Sequence, residues 1–541
     1  MSTRLLPAAV AGLLAVSLLG LAPASASPPA VPVPDAPATA PQSDRQAAVD
    51  ALAAVEALAA NDPSRASRRQ VTGRPDVTMA LNQLLRVRAD LTPAEKRRAD
   101  ALLARPTADG GDGFLDYSVP EATPVCGPVI CIHYVTTTAD APPQDSNDGD
   151  AIPDAVQQAL ATAESVHGTY TGAGYLRPDS DGTLGGGSDQ VDVYLGDLGN
   201  AGYYGYCTTD QPGDTGPWNR WAYCAIDEDF STDDFPENTP LENQQVTLAH
   251  EYFHAVQYAY DAYEDPWFLE ATAAWAEDEL FDAVDDNRQY LPSGQLGRPY
   301  LPLDLWVAGD SMHYGNWLFF RHLTERWTAE TGGLPTIMVE LMERLSGRTG
   351  DPDQYSTQAI AAELAERGTS FGAVYARFVT DNRAPARAYS EGARYRPAAP
   401  LRTWRLRADR RRTGLYEIRI DHLSNIPLRY RPGSGTSRRG WKLRLQVDMP
   451  AGATAPAARV VSFLKGGGVS TETIRLSSTG KGARTVPFSS RRVRYVELVL
   501  INASRRTSCW TYPYGDSASV ACNGTPRDDN VRTLFSASIS R

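Results

Sequence analysis

The 541-residue sequence contains few histidines, cysteines and methionines, with 7, 6 and 6 copies respectively. None of the cysteines stands in a C-x-x-C pair, which argues against a zinc site built from closely spaced thiolates. No apolar run beyond residue 26 reaches the roughly 18 residues that a membrane-spanning helix needs. These absences indicate a globular chain without a thiolate zinc site. The few histidines are therefore the first candidates for a metal site.

The first 26 residues have the pattern of a secretory signal peptide. A basic Arg4 precedes an apolar run from Ala8 to Ala22, and Ala24-Ser25-Ala26 forms a small-residue cleavage pattern. The run is too short to span a bilayer. We therefore expect a secreted, soluble protein that works outside the cell or at its surface.

The six cysteines fall into three local pairs, and export favours disulfides over free thiols. Sequence alone permits many pairings, but each pair of neighbours lies within one inferred module. We therefore expect the disulfides Cys126–Cys131, Cys207–Cys224 and Cys509–Cys522.

Two of the scarce histidines stand four residues apart in the pattern His250-Glu251-x-x-His254. With so few histidines, chance placement predicts far fewer than one such motif in this chain. Four residues make about one helical turn, so on a helix both imidazoles lie on one face and can hold one metal ion. Glu251 then lies to the side, where its carboxylate can take a proton from a metal-bound water. The motif predicts a zinc hydrolase with His250 and His254 as ligands and Glu251 as general base.

The flanking residues predict that this motif lies on a helix. Thr239-Pro240-Leu241-Glu242 is a capping box with proline at the first helical position. After it, apolar residues repeat at steps of three and four, which gives one continuous apolar face with the histidines along its border: Val246, Ala249, Phe253, Val256 and Tyr260.

A second helix is predicted to begin at Asp265-Pro266, and it carries Trp267, Glu270 and Ala273. With the zinc motif, this stretch resembles the glutamate-zincin clan of metallopeptidases, the thermolysin-like and aminopeptidase-N-like enzymes. The resemblance implies that Glu270 is the third zinc ligand. It further implies that Glu277 is an outer-sphere glutamate of the aminopeptidase-like branch, since Ala274 stands where the thermolysin-like branch has an aspartate. In the alternative, Glu270 is solvated, and the third ligand is Glu277, Asp278 or Glu279. Residues 125–330 also resemble a poorly characterised family of secreted bacterial metalloproteases.

A later helix is predicted to begin near Ser311, and it carries two candidates for stabilising the oxyanion of the reaction. In the aminopeptidase-like enzymes a tyrosine at such a helix start has this role, which points to Tyr314, with His313 as the neighbouring alternative. Tyr314 is equally consistent with an aromatic packing residue. The predicted strand from Ala222 to Ile226, just before the motif helix, suits the edge along which zincins hold an extended peptide.

The acidic stretch Asp145–Asp154 resembles a calcium loop. Its best register places Ser146, Asp148 and Asp150 at alternating positions, with Asp154 closing the loop. Ser146 replaces the first aspartate, and Ala151 stands where glycine makes the turn. An acidic turn that caps the following helix explains the stretch almost as well.

Composition divides the rest of the chain. A Pro/Ala-rich leader, expected to be flexible, and a helical segment fill residues 27–115. The segment is either a propeptide, as secreted zinc peptidases commonly carry, or a subdomain that stays attached. Residues 116–398 form the predicted α+β zincin-like domain. Short alternating strands predict an all-β sandwich over residues 399–541. Residues 401–541 hold 26 Lys and Arg against 9 Asp and Glu, a net charge of +17, whereas the first 400 residues carry −30.

The sequence therefore predicts a secreted zinc peptidase that acts on peptides or proteins, with calcium as a second candidate metal. An endopeptidase is preferred to an aminopeptidase because no pattern marks a free-amine anchor. The competing hypothesis is a non-catalytic surface-binding or adhesion protein on a zincin scaffold. In that case the basic region would contact an anionic surface or polymer, although it could instead dock on the acidic body. No feature points to nucleic acid as a partner.

Overall fold

The computed structural model shows a mixed α and β protein. Its described α-helices lie before residue 382, in the part called the N-terminal half below, and a β-rich C-terminal region begins at Arg402. The described residues are 28–34, 44–60, 76–106, 113–147, 149–185, 188–211, 213, 216–509 and 518–541. The predicted signal peptide and Asp148 of the predicted calcium loop lie outside these ranges.

The helices of the described residues are α1 (Asp44–Ala59), α2 (Val77–Val87), α3 (Pro93–Leu103), α4 (Asp154–Gly172), α5 (Pro240–Asp261), α6 (Pro266–Leu280), α7 (Met312–Gly315), α8 (Trp317–Thr324), α9 (Thr336–Leu345), α10 (Ser356–Glu366) and α11 (Phe371–Asp381). The strands of the N-terminal half are β1 (Val125–Cys126), β2 (Ile130–His133), β3 (Val191–Gly196), β4 (Gly205–Thr208), β5 (Tyr223–Asp227), β6 (Trp306–Val307), β7 (Glu330–Thr331) and β8 (Leu334–Pro335). The strands of the C-terminal region are β9 (Arg402–Leu406), β10 (Arg412–Ile420), β11 (Ser424–Pro432), β12 (Lys442–Asp448), β13 (Pro456–Leu464), β14 (Val469–Thr473), β15 (Lys481–Pro487), β16 (Val493–Asn502), β17 (Thr507–Ser508), β18 (Ala518–Ser519), β19 (Thr525–Pro526) and β20 (Val531–Ser540).

A five-stranded sheet in the order β1-β2-β3-β5-β4 lies at the centre of the N-terminal half. Strands β2, β3 and β5 are parallel, and β4 runs antiparallel to β5 at one edge. The sequence favours strand 222–226 as the edge, and this is wrong, because that strand is β5 and lies between β3 and β4. The edge belongs to β4, whose four residues are too few to show a strand pattern in the sequence.

Helices cover both faces of this sheet. Helices α4 and α5 pack on one face through a large apolar cluster that includes Val193 and Phe253. Helices α1, α2 and α3 pack on the opposite face, where Leu84, Leu102 and Tyr223 belong to a second cluster. The predicted N-terminal helical segment therefore forms a complete layer of the fold.

The sequence predicts a flexible proline-rich leader, but the part of it that the structure describes, residues 28–34, packs on the C-terminal region. These residues run along β10, and the Val31 N–H donates to the Glu417 carbonyl at 2.8 Å. The Val31 side chain is 5% exposed because it enters the core of the C-terminal region. Proline-rich chain is already extended, so it can add to a strand at small entropic cost.

The C-terminal region consists mainly of two sheets that share one apolar core. One sheet has the order β10-β20-β12-β15, and the other has the order β14-β13-β16-β11-β9. The region rests on the N-terminal half through apolar packing and a few buried polar pairs. Arg383 Nε lies 2.8 Å from Glu497 Oε2, and His422 Nε2 lies 2.9 Å from Asp304 Oδ1.

All three expected disulfides are present, Cys126–Cys131, Cys207–Cys224 and Cys509–Cys522. The second of them joins edge strand β4 to β5. Within the described ranges, no helix combines the length and the apolar character that crossing a membrane requires.

Candidate active site

Helix α5 begins where its capping box predicts. The Glu242 N–H donates to the Thr239 hydroxyl, and the Thr239 N–H donates to the Glu242 carboxylate at 2.9 Å. The helix is buried over most of its length because strands β4 and β5 and helices α4 and α6 pack on it. It carries His250 and His254 into the interior, where they are 9% and 0% exposed.

Helix α6 brings Glu270 to the two histidines. Its chain reverses after α5, begins with Pro266 at its first turn, and packs alongside α5. The Glu270 carboxylate is fully buried, with Oε2 3.2 Å from His250 Nε2 and Oε1 3.3 Å from His254 Nε2. Among the candidates that the sequence raises for this position, Glu270 is the residue that reaches both Nε2 atoms.

The opposite nitrogen of each imidazole is held by an outer partner. His250 Nδ1 lies 2.6 Å from Glu277 Oε1, as the resemblance implies. His254 Nδ1 lies 2.7 Å from Gln257 Oε1. The Gln257 amide donates to the Leu269 carbonyl, which can only accept, so its oxygen must face the His254 ring. His254 therefore carries its proton on Nδ1 and keeps a lone pair on Nε2.

The spacing of the three inner atoms matches a shared metal ion. Two ligand atoms about 2.1 Å from one ion at tetrahedral angles lie about 3.4 Å apart. The measured separations are 3.2 and 3.3 Å, and one atom from each of His250, His254 and Glu270 lies within 4.8 Å of the others. His254 Nε2 and Glu270 Oε1 are buried without a hydrogen-bond partner. A bound ion would satisfy both.

The electrostatics also favour a cation at this position. Four carboxylates surround the imidazoles, all of them at most 7% exposed: Asp76, Glu251, Glu270 and Glu277. Burial raises the pKa of Glu251 and of Glu277 to about 7. Burial, and then the negative Asp76, raise the pKa of Glu270. Burial lowers the pKa of His254 well below its usual value. A divalent ion would neutralise the excess negative charge.

A cavity of about 270 Å³ opens beside His250 and Glu251. Its walls come from the start of α2, from edge strand β4, from α5 and from the segment before α7, and they include Thr78, Gly205, Tyr290 and Tyr314. The Tyr314 ring centroid lies 5.8 Å from that of His250, and the ring stacks on Tyr290 at 4.9 Å. His313 is fully buried, with Nε2 3.4 Å from Asp76 Oδ2. Of the two oxyanion candidates, Tyr314 is the one at the cavity.

No protein-family model matches the chain, and no protein of curated function is found to be similar to it. The functional argument therefore rests on the geometry of the site.

The acidic stretch predicted to bind calcium forms contacts within its own turn. The Ile152 N–H and the Gln157 amide donate to the Asp150 carboxylate at 2.8 Å each. The Asn147 N–H donates to the Asp154 carboxylate at 3.2 Å, at the start of α4. These contacts are those of an acidic turn at a helix start, and the calcium loop stays a prediction.

Two other buried histidines, His133 and His322, lie in other elements of the fold. His133 lies in β2 between Glu121 and Asp192, at 3.0 Å from each carboxylate. His322 is 6% exposed in α8, and burial lowers its pKa to about 3.

Sequence reasoning missed Gln257, Gly205 and Thr78 at this site. Gln257 could have been noticed, because it follows His254 by three residues on the same helix. Gly205 and Thr78 carry no sequence signal, since they come from a four-residue strand and from a segment far from the motif.

Proposed function

We propose that this protein is a zinc metallopeptidase of the glutamate-zincin type. The observation that carries the proposal is the cluster of His250 Nε2, His254 Nε2 and a Glu270 oxygen, spaced for a tetrahedral ion. Hydrogen bonds to Nδ1 of both imidazoles support it, since zinc-binding histidines almost always make such bonds. A central sheet with the motif helix on one face and an antiparallel edge strand is consistent with a zincin-like catalytic domain.

The side chains at the cavity suit hydrolysis. Bound zinc would supply a Lewis acid that activates water and polarises the scissile carbonyl. Glu251 lines the cavity beside His250, where it would accept the proton of the attacking water and deliver it to the leaving amine. The Tyr314 hydroxyl would donate a hydrogen bond to the developing oxyanion. A purely structural zinc site needs neither group.

Edge strand β4 supports a peptide as the substrate. In an antiparallel pair, alternate residues point their N–H and C=O groups away from the partner strand. Asp227 N–H donates to the Tyr204 carbonyl, so Gly205, the next residue, has its backbone groups on the free edge. Gly205 also lines the cavity. A substrate peptide could pair with this edge at Gly205, while the next outward-facing N–H along β4, that of Cys207, is bonded to Thr78 Oγ1. The preference for an endopeptidase stays a prediction from the sequence.

Four substitutions test the proposal. We expect about one zinc per chain in the wild type and loss of zinc in His254→Ala. Glu251→Gln should keep the zinc and lose nearly all hydrolysis of a quenched fluorescent peptide, because an amide cannot accept the proton. Glu270→Gln should weaken zinc binding, whereas Glu279→Gln, on the same helix but 3.3 Å from Arg321, should not. Stoichiometric zinc in the Glu270→Gln protein, or full hydrolysis by Glu251→Gln, would contradict the assignment.

We also propose that the basic C-terminal region contacts an anionic surface. Many of its arginines are exposed, among them Arg444, Arg484 and Arg494. Binding of the Glu251→Gln protein to vesicles with anionic lipid, measured against neutral vesicles at increasing salt, tests this proposal. Equal binding to both kinds of vesicle would refute it.

A further inference from the structure

The start of helix α2 reaches the proposed general base. The Cys207 N–H of edge strand β4 donates to Thr78 Oγ1 at 3.1 Å, and Thr78 Oγ1 donates to Glu251 Oε2 at 3.2 Å. Because the hydroxyl accepts a bond from the strand, its own proton is directed at the carboxylate. Thr78 is 5% exposed and lies at the wall of the cavity, next to Glu251. A residue of the N-terminal segment therefore holds one oxygen of Glu251.

The same segment binds the far end of the motif helix. The Asn82 amide donates to the Ala262 carbonyl at 2.7 Å. The Arg86 guanidinium donates to the Tyr263 carbonyl at 2.8 Å and also reaches the Ala262 and Glu264 carbonyls. These carbonyls belong to the turn that joins α5 to α6, directly after the metal-binding helix ends at Asp261. Without the segment, the end of the metal-binding helix would lose these donors.

The segment also ends in a buried ionic network. Arg105 is 7% exposed and pairs with Asp181, Asp192 and Asp210. Removing the guanidinium would leave three carboxylates together, one of them 2% exposed, which is strongly unfavourable. The Tyr223 hydroxyl of β5 donates to the Ala104 carbonyl at 2.7 Å. Removal of the segment would therefore leave the carboxylates and the Tyr223 hydroxyl on this face of the sheet without their partners.

The segment leaves the site open. Asp76, Val77 and Thr78 line the cavity of about 270 Å³ without filling it, and His250 and Glu251 line the same cavity. An inhibitory segment would occupy this space, whereas these residues form one side of it.

We propose that the N-terminal helical segment is a permanent wall of the active site, and that Thr78 positions Glu251 for proton transfer. The inference rests on the proposed peptidase function and names a positioning residue for it. Thr78 restrains the Glu251 carboxylate against edge strand β4, so that its other oxygen faces the reacting water. The segment is then part of the working enzyme and is not a propeptide that must be removed.

Substitutions of Thr78 in the full chain test the positioning role. Thr78→Val keeps the shape but loses the hydroxyl, and Thr78→Ser restores it. We expect kcat to fall about ten- to a hundredfold in Thr78→Val, the range that loss of a hydrogen bond to a charged group gives. KM and zinc content should stay unchanged, and Thr78→Ser should recover most of the rate. Thr380→Val is the matched control, because Thr380 is also 5% exposed and donates to the Ala376 carbonyl away from the site.

The mass of the active species tests, independently of Thr78, whether the N-terminal helical segment remains part of the active enzyme. We expect intact-mass analysis of the secreted, purified protein to find residues 76–106 in the species with the highest specific activity. Loss of this segment from that species, or higher activity in Thr78→Val than in the wild type, would overturn the proposal and indicate an inhibitory segment. A wild type that carries zinc and hydrolyses peptides while Thr78→Val matches it would overturn only the Thr78 role. A wild type that binds no zinc would refute the proposed function. A zinc-bound wild type that retains the segment and hydrolyses peptides only after the segment is removed would overturn the wall.

Discussion

Gln257 offers a sharp test of how the fold prepares the metal site. Gln257→Met keeps the approximate volume of the side chain but removes the acceptor for His254 Nδ1, which is now 2.7 Å away. The His254 ring would lose both its orientation and its preferred proton position. Because Gln257 and His254 are both 0% exposed, no solvent can replace the lost bond.

The expected effect on zinc follows from this burial. Loss of an outer partner of a zinc-binding histidine typically weakens metal affinity by about 10- to 100-fold, or about 1.4–2.7 kcal/mol. We expect the upper part of this range, because the bond is short and fully buried. Thr272→Val should have a smaller effect, since the Thr272 hydroxyl accepts from the Gln257 amide at 2.8 Å, donates to the Phe268 carbonyl and makes no bond to His254.

The assay is competition for zinc between the protein and a chromogenic chelator at neutral pH. Gln295→Met is the matched control, because Gln295 is 2% exposed and its amide donates to the Leu301 and Leu423 carbonyls away from the metal position. This variant should lower the unfolding temperature without changing zinc affinity. Unchanged zinc affinity in Gln257→Met, with the control behaving as stated, would refute the idea that Gln257 prepares His254.

Three further predictions concern other parts of the molecule. Gly205→Ala should lower kcat by at least about tenfold, because the new Cβ would lie 3.0 Å from Glu251 Cγ and 2.9 Å from the Ala225 carbonyl, and small displacements of catalytic groups are costly. Gly168→Ala, at a helical position with open space around the new Cβ, should leave kcat unchanged. Equal rates in the two variants would contradict the prediction. Burial lowers the pKa of His422, but Asp304 and Asp529 outweigh burial and raise this pKa to about 10. The charged imidazole therefore stabilises the fold fully below the unfolded pKa of about 6.5, and this stabilisation is lost as the pH rises towards 10. The unfolding temperature of the wild type should fall more over this pH range than that of His422→Gln, and parallel curves would count against the prediction. The negative charge of the first 400 residues should attract cationic peptides. For a cationic peptide, kcat/KM should therefore fall as salt shortens the Debye length from about 30 Å at 0.01 M to about 8 Å at 0.15 M. An identical salt profile for a neutral peptide would exclude electrostatic steering of the substrate.

The sequence by itself determined those features that depend on local spacing. The capping box at Thr239 and Glu242 fixes where α5 begins, and the four-residue interval of the motif places His250 and His254 on one face of it. The disulfide pairs are also local in sequence, with separations of 5, 17 and 13 residues, so neighbours could be matched without a structure. The position of Glu270 needed the resemblance in addition, because helix α6 must fold back on α5.

Only the tertiary structure decided which distant residues meet at the site. Thr78 lies 173 residues before Glu251, and no local pattern can bring them together. Strand β4 holds the sheet edge because α2, α5 and β5 all pack on it, although its own four residues show no strand pattern. The order of residues 28–34 likewise depends on an acceptor strand almost four hundred residues away. The start of a helix and the spacing of two ligands along it are properties of short segments. The edge strand of the sheet, the wall of the active site and the hydrogen bonds to the histidine Nδ1 atoms depend on packing between distant segments, which no local sequence pattern predicts.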